Sequence, residues 1–291
     1  MSDLLEFFTA RTEQMVEKLG RLVLFESPSH SKEHVDKLGE YVEWVCKSLD
    51  AEVEVYPFEH AGDVRLAKWN AGAPGKPIML LAHLDTVWPA GTLEHMPLRE
   101  EGGLLFGPGA LDMKCGVVVA LEAIRGLRDR GELPNRPIWL FLNSDEEIGS
   151  VNTRALIEEK AAQAGLVLVM EPAAEGEALK VWRKGIARYK VRTVGRAAHS
   201  GNAPEAGINA VIEAAHQALI MHGLNDLKNG TSVSVTMIKG GIATNVIPPE
   251  AELEVDVRFL TGAEAQRVDH AIQNLTPVLP GADVIVEGGI D

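Results

Sequence analysis

Apolar and polar positions along the first 181 residues fall into two alternating textures. "LLEFFTARTEQMVEKLGRLVLF" (4–25) and "HVDKLGEYVEWVCKSL" (34–49) space their apolar residues three and four apart, the period of an amphipathic helix. Between and after them come short, nearly all-apolar runs: "PIMLLAH" (77–83), "IWLFLNS" (138–144) and "GLVLVME" (165–171). Runs of strand length with no polar alternation are what strands buried on both faces look like, so they predict a mostly parallel sheet covered by helices. "GVVVALEAIRGLRDRG" (116–131) predicts a helix between two of these strands, ended by Gly131.

From about residue 182 the pattern changes. "GIARYKVRTVG" (185–195) and "AELEVDVRF" (251–259) alternate apolar and polar residues, as half-buried strands do. "TSVSVTMI" (231–238) and "ADVIVE" (282–287) predict further strands, and "EAGINAVIEAAHQALIMHGL" (205–224) and "AEAQRVDHAIQNL" (263–275) predict helices. The order β-α-β-β-α-β is that of the ferredoxin-like split unit. A domain boundary is therefore expected near Glu177 to Trp182, dividing 1–181 from 182–291.

Composition narrows the function. A formal charge of −14 and the lack of a Lys/Arg-rich patch argue against a nucleic-acid partner. No apolar run approaches the roughly 18 residues of a membrane span. The N-terminal stretch carries acids early and reads as a helix rather than a signal peptide. Cys46 and Cys115 are far apart with no CxxC, so free thiols are expected. A cytoplasmic enzyme or binding protein is the expectation.

The candidate chemistry lies where the apolar runs end. Strand 77–82 runs into His83 and Asp85, strand 138–142 into Asp145, Glu146 and Glu147, and strand 166–170 into Glu171. In an open α/β sheet, ligands bind at the carboxyl ends of the strands, so these residues are expected to converge. Asp112 adds a further acid in the Gly/Pro-rich "GPGALDMKCG" (107–116), just before a helix that it could also cap. The acids at 145–147 could be a solvated loop, a helix N-terminus or part of a cation site. With Lys114 the only basic residue nearby in sequence, the set as a whole demands a cation. Imidazole with carboxylates suits zinc, with cobalt or manganese possible. Paired metals are a known device of hydrolases. No phosphate loop ending in Gly-Lys-Ser/Thr and no G-x-S-x-G elbow offers a different chemistry.

"HLDTV" (83–87), "GPGALDMKCG", "NSDEEIGS" (143–150) and "MEP" (170–172) resemble, in order along the chain, the motifs of the zinc-dependent aminoacylase/carboxypeptidase family of metallo-exopeptidases. Within it the bacterial glutamate carboxypeptidases are the best match. The resemblance implies that His83 and Glu171 hold one zinc, that Asp112 bridges two, and that Glu147 binds the second. Glu146 would be the general base on the water between the metals, and Asp85 would orient His83. The small domain would be an inserted lid and dimerisation domain, making the protein a homodimer. His199, in "AAHSG" (197–201), would steady the oxyanion in the partner's site. Asn245 and Arg258 would bind the substrate carboxylate, although Arg258 could instead form a cross-strand salt bridge with Glu254 or Asp256. Cys115 stands where the family has glycine, and the family's last zinc-binding histidine, placed in a C-terminal segment, has no counterpart in these residues.

The implied function is a dinuclear zinc hydrolase cutting an amide or peptide bond beside a free carboxylate, of the C-terminal glutamate type. An N-acyl amino acid deacylase or dipeptidase would use the same chemistry. A non-catalytic metal- or ligand-binding protein is the reading from another class.

Overall fold

The computed structural model describes residues 2–174, 176 and 178–290. Two compact units divide the chain, Met1–Ala178 and Leu179–Asp291. Glu177, where the boundary region was expected to begin, lies outside the described residues.

The first unit opens with α1 (Ser2–Thr9), α2 (Thr12–Val23) and α3 (Lys32–Ser48), followed by β1 (Glu52–Tyr56), β2 (Val64–Trp69) and β3 (Ile78–His83). A small hairpin of β4 (Arg99–Glu101) and β5 (Leu104–Phe106) precedes α4 (Cys115–Asp129), β6 (Ile138–Asn143), α5 (Arg154–Gln163) and β7 (Leu166–Val169). The helical pattern over 4–25 is broken in two. Arg11 N–H bonds back three residues to Phe8 O at 3.0 Å, and the Thr12 hydroxyl donates to Thr9 O at 2.9 Å. A threonine that offers its own hydroxyl to the backbone competes with the helix ladder at this point.

The five-stranded sheet has the order β1-β2-β6-β3-β7. The expected α/β architecture is present, but the sheet is mixed rather than mostly parallel. β3 pairs parallel with β6 and β7, whereas β1 with β2 and β2 with β6 are antiparallel. The two extra strands, "EVEVY" and "VRLAKW", are short and interrupted by charges, so they do not stand out as apolar runs.

Of the three apolar runs, β3 and β6 are covered on both faces. The third, β7, expected to be buried likewise, lies at the sheet edge and leaves Leu166, Leu168 and Val169 exposed among the described residues. Leu140 and Leu142 of β6 pack with Leu38 and Val42 of α3 and Val117 and Leu121 of α4. Phe141, pointing the other way, packs with Leu66, Met79 and the partly buried Leu156 and Ile157 of α5. Each such burial contributes roughly 1.5–3 kcal/mol, which is why the ends of β3 and β6 make a firm platform. Gly131 follows α4 with φ 68°, as a left-handed helix end requires.

The second unit comprises β8 (Gly185–Val194), β9 (Ala198–His199), α6 (Ala210–His222), β10 (Ser232–Gly240), β11 (Val246–Ile247), β12 (Glu250–Phe259), α7 (Gly262–Gln273) and β13 (Asp283–Ile290). Its main sheet is antiparallel throughout, in the order β10-β12-β8-β13, which is the ferredoxin-like arrangement. The alternation in β12 sorts its faces: Leu253, Val255 and Val257 are buried with Val191, Ala214 and Val268, while Glu252, Glu254, Asp256 and Arg258 take the other side. Asn209 caps α6, its side-chain oxygen accepting from Val211 N and Ile212 N. No helix among the described residues is long and apolar enough to cross a membrane.

Candidate metal centre

Parallel pairing brings three strand ends level. His83 of β3 lies opposite Asn143 of β6, and Leu84 N–H donates to Asn143 O at 2.9 Å. On the other side Met170 N–H donates to Leu81 O at 2.9 Å, so Glu171 emerges beside His83. Residues nearly ninety positions apart thus share one edge of the sheet.

Asp112 arrives from a tight turn, Ala110–Lys114, that leads into α4. One backbone angle and two contacts fix this turn. Gly109 takes φ 69°, His83 N–H donates to Met113 Sδ at 3.1 Å, and the Lys114 ammonium donates to Phe25 O at 2.7 Å. Burial lowers the Lys114 ammonium to about 8, against a smaller opposing pull from Glu26. Gly116 lets α4 pack directly on the end of β7, since a Cβ there would lie 2.0 Å from the Met170 carbonyl oxygen. Asp112 does not cap the helix, for the residue at that position is Lys114, without a side-chain cap. Its carboxylate turns to His83 instead.

The imidazole of His83, 1% exposed, is the centre of the cluster. Its Nε2 lies 3.1 Å from Asp112 Oδ1, 3.3 Å from Glu171 Oε1 and 3.8 Å from Glu146 Oε2. Ligand atoms of His83, Asp112 and Glu147 also lie within 4.8 Å of one another, as do those of His83, Glu146 and Glu171. Asp85 meets the opposite nitrogen, its carbonyl oxygen 2.9 Å and its Oδ1 3.3 Å from Nδ1. The same carboxylate accepts from Glu146 N at 3.1 Å, Glu147 N at 3.2 Å and the Ser29 hydroxyl at 2.7 Å.

The charges strain against one another. Burial opposes a proton on His83, but the carboxylates of Asp85, Glu171 and Glu146 outweigh it and push the imidazole up to about 11. Burial raises Glu146, with the neighbouring acids Glu171, Asp85 and Asp112 adding to it against the pull of His83. Glu147 is raised by burial and then by Asp112. Asp85 goes the other way: burial opposes its charge, and the bonds from His83 and Ser29 prevail. A site that raises an imidazole and two glutamates together is one that lacks positive charge.

A divalent cation fits that deficit. With Nδ1 of His83 occupied by Asp85, Nε2 is the nitrogen left to bind, and carboxylate oxygens surround it. One imidazole with several carboxylates is a donor set suited to zinc.

Asp145 has a different role. Fully buried, it accepts from Asn152 N at 2.8 Å and from the Thr153 hydroxyl, closing the turn that presents the two glutamates. Sequence reading missed Ser29 and this Asn152/Thr153 clamp. Ser29 lies 56 residues before Asp85 in a stretch with no periodic or metal-binding signal.

The remaining expected residues belong to the second unit. β9 pairs with β11 so that His199 lies opposite Val246, and Ser200 N–H donates to Asn245 O at 2.9 Å, which makes His199 and Asn245 neighbours. His199 is exposed, and its Nδ1 accepts from the N–H groups of Gly201 and Asn202, both at 3.1 Å. Arg258 donates Nε and Nη2 to the two oxygens of Asp256 at 2.8 and 3.0 Å. The pair lies along one strand, where residues two apart share a face, and not across strands.

Residues 181–279 match the peptidase dimerisation domain of M20 enzymes, and residues 66–219 match peptidase family M28. The chain is 34% identical over 290 residues to carboxypeptidase G2 of Pseudomonas sp. (strain RS-16), covering 96% of this chain and 69% of that protein. The chain belongs to the M20 metallopeptidase family. The succinyl-diaminopimelate desuccinylase of Corynebacterium glutamicum is 27% identical, covering 91% of this chain and 71% of its own length. A tripeptidase from Staphylococcus aureus has the same fold, with a TM-score of 0.76 at 19% identity, over 95% of this chain and 75% of that one. As an M20 member the protein is a metal-dependent peptidase or amidohydrolase.

Proposed function

We propose that this protein is a dinuclear zinc hydrolase acting on an amide bond beside a free carboxylate, in a small peptide or an N-acyl amino acid. The observation that carries the reading is the ring of acids around His83 Nε2, with a glutamate pair presented from one turn. His83, Asp112 and Glu171 would hold one zinc, and Asp112 and Glu147 are the residues present for the second. Cobalt or manganese would suit the same donors. Zinc, when bound, polarises the scissile carbonyl and lowers the pKa of water toward neutrality.

Glu146 takes the proton of the attacking water and passes it to the leaving nitrogen. Two features support this assignment over a ligand role. Its carboxylate stands back from Nε2 at 3.8 Å, against 3.1 and 3.3 Å for Asp112 and Glu171. Burial also raises its pKa, which suits a group that must carry a proton during turnover. Asp85 holds His83 by Nδ1, so that Nε2 faces the acids.

In the second unit, His199 is the proposed oxyanion donor. Its Nδ1 already accepts two backbone N–H groups, so the neutral tautomer places the proton on Nε2. The match to a dimerisation domain supports association through residues 182–291, with His199 serving the partner's site. Asn245, beside His199, and Arg258 are proposed to hold the substrate carboxylate, Arg258 exchanging part of its Asp256 pairing for it. Two cysteines, both free, suit a reducing compartment such as the cytoplasm.

Carboxypeptidase and deacylase readings share this chemistry, and relatives of both kinds match the chain. Glu146→Gln tests the core of the proposal. The expected result is a loss of roughly 10²- to 10⁴-fold in kcat with zinc content retained by elemental analysis. Unchanged turnover would remove Glu146 from the chemistry, and a parent protein that binds metal but hydrolyses no acyl amino acid or peptide would favour the binding-protein reading.

A further inference from the structure

Asp85 joins the two halves of the cluster, because it touches both the imidazole and the turn carrying the glutamate pair. A carboxylate offers about four acceptor positions, and here three donors and the His83 ring surround it. Oδ1 accepts from Glu146 N at 3.1 Å and lies 3.3 Å from His83 Nδ1; Oδ2 accepts from Glu147 N at 3.2 Å and Ser29 Oγ at 2.7 Å. The Ser29 contact is the shortest of the four. It is also the one whose donor lies outside the metal centre.

Ser29 is itself firmly held. It is 5% exposed, its N–H donates to Thr86 O at 3.2 Å, and Thr86 N–H returns to Ser27 O at 2.8 Å. Pro28 and Thr86 form a parallel bridge between these two contacts. The segment after α2 is thus stitched alongside Asp85 and Thr86, which sets the Ser29 hydroxyl 2.7 Å from Oδ2, nearer than its other acceptor, Thr86 O at 3.2 Å.

We propose that Ser29 is a positioning residue of the metal centre, acting through Asp85. The proposal rests on the metal-hydrolase reading given above. Without the hydroxyl, Oδ2 keeps only the longer bond from Glu147 N, and the carboxylate is free to turn about its Cβ–Cγ bond. Turning loosens the Glu146–Glu147 backbone and withdraws the Oδ1 charge from His83 Nδ1, leaving that nitrogen only its 2.9 Å contact to the Asp85 carbonyl oxygen. Groups that orient a metal-binding histidine in this way typically control metal affinity by 10- to 100-fold.

The test uses the full chain, stripped of metal and titrated with cobalt(II) alone, followed by its visible absorption. Ser29→Ala is expected to weaken cobalt binding by roughly 10- to 100-fold, and Ser29→Thr, which keeps the donor, to restore most of it. The thermal midpoint of the metal-free proteins should barely move. In an Asp85→Ala background, Ser29→Ala should cause no further loss, because the two act in series.

Cobalt affinity equal to the parent's in Ser29→Ala would overturn the proposal. So would a lowered midpoint with unchanged cobalt affinity, or a loss that adds in full to that of Asp85→Ala. A parent protein that takes up no cobalt would instead overturn the metal reading itself, without any variant being compared.

Discussion

Adjacent residues of one type serve opposite ends in the run 145–147. Asp145 is spent on the backbone and hydroxyl of its own turn, while Glu146 and Glu147 face His83 with raised pKa values. Burial decides the behaviour of Cys46 in a simpler way. Fully buried with Leu38, Val42 and Leu49, its thiol is pushed from 9.0 up to about 12, chiefly by burial and slightly by Glu43. A raised pKa means that the folded state holds its proton longer. The contribution is therefore fully present below pH 9.0 and is lost as pH rises toward about 12. Each pH unit in that window should remove about 1.4 kcal/mol. Urea unfolding at pH 8 and pH 10 should show the parent losing about that much more than Cys46→Ala does; equal losses would mean the thiolate is accommodated in the fold.

At the scale of elements, the decisive contact is the seating of α4 on the end of β7. A side chain at Gly116 would meet the Met170 carbonyl, a backbone atom that has no rotamer to escape into. Gly116→Ala must therefore shift the helix and with it the turn that carries Asp112, moving it away from Glu171. Overpacking of this kind costs about 1–3 kcal/mol, and zinc affinity should fall as well. Urea unfolding and a zinc titration of the same variant check both halves; a variant matching the parent in each would show that the close approach is dispensable. The neighbouring break between α1 and α2 shows the limit of periodicity. The apolar spacing runs on through Ala10 and Arg11, but a local hydroxyl bond from Thr12 ends the helix at Thr9.

For the molecule as a whole, the two units have separate cores, and every proposed metal-binding residue lies in Met1–Ala178. A metal that binds only the folded form stabilises it by about 2.7 kcal/mol at a hundred times its dissociation constant. Chelation should thus lower the calorimetric transition of the first unit and leave that of Leu179–Asp291 in place. A single transition that shifts as a whole would show that the units unfold together. The formal charge of −14 sharpens the expectation, because removing a dication returns the cluster to mutual repulsion.

Sequence alone determined the α/β character of the first unit, the split order of the second, and which metal-competent side chains stand at the ends of the apolar runs. It could do so because burial on two faces writes an apolar run, burial on one face writes an alternation, and metal-competent side chains at strand ends are conspicuous. Strands β1 and β2 were not legible: β1 lies half-exposed at the sheet edge, and β2, although buried, carries Arg65 and Lys68 within its six residues. Nor could the sequence show that Asp145 closes a turn, that Arg258 holds Asp256, or that Ser29 completes Asp85. Those outcomes depend on hydrogen bonds between groups whose side chains look alike on paper. Only the tertiary structure chooses among them, by setting which donor comes within about 3 Å of which acceptor.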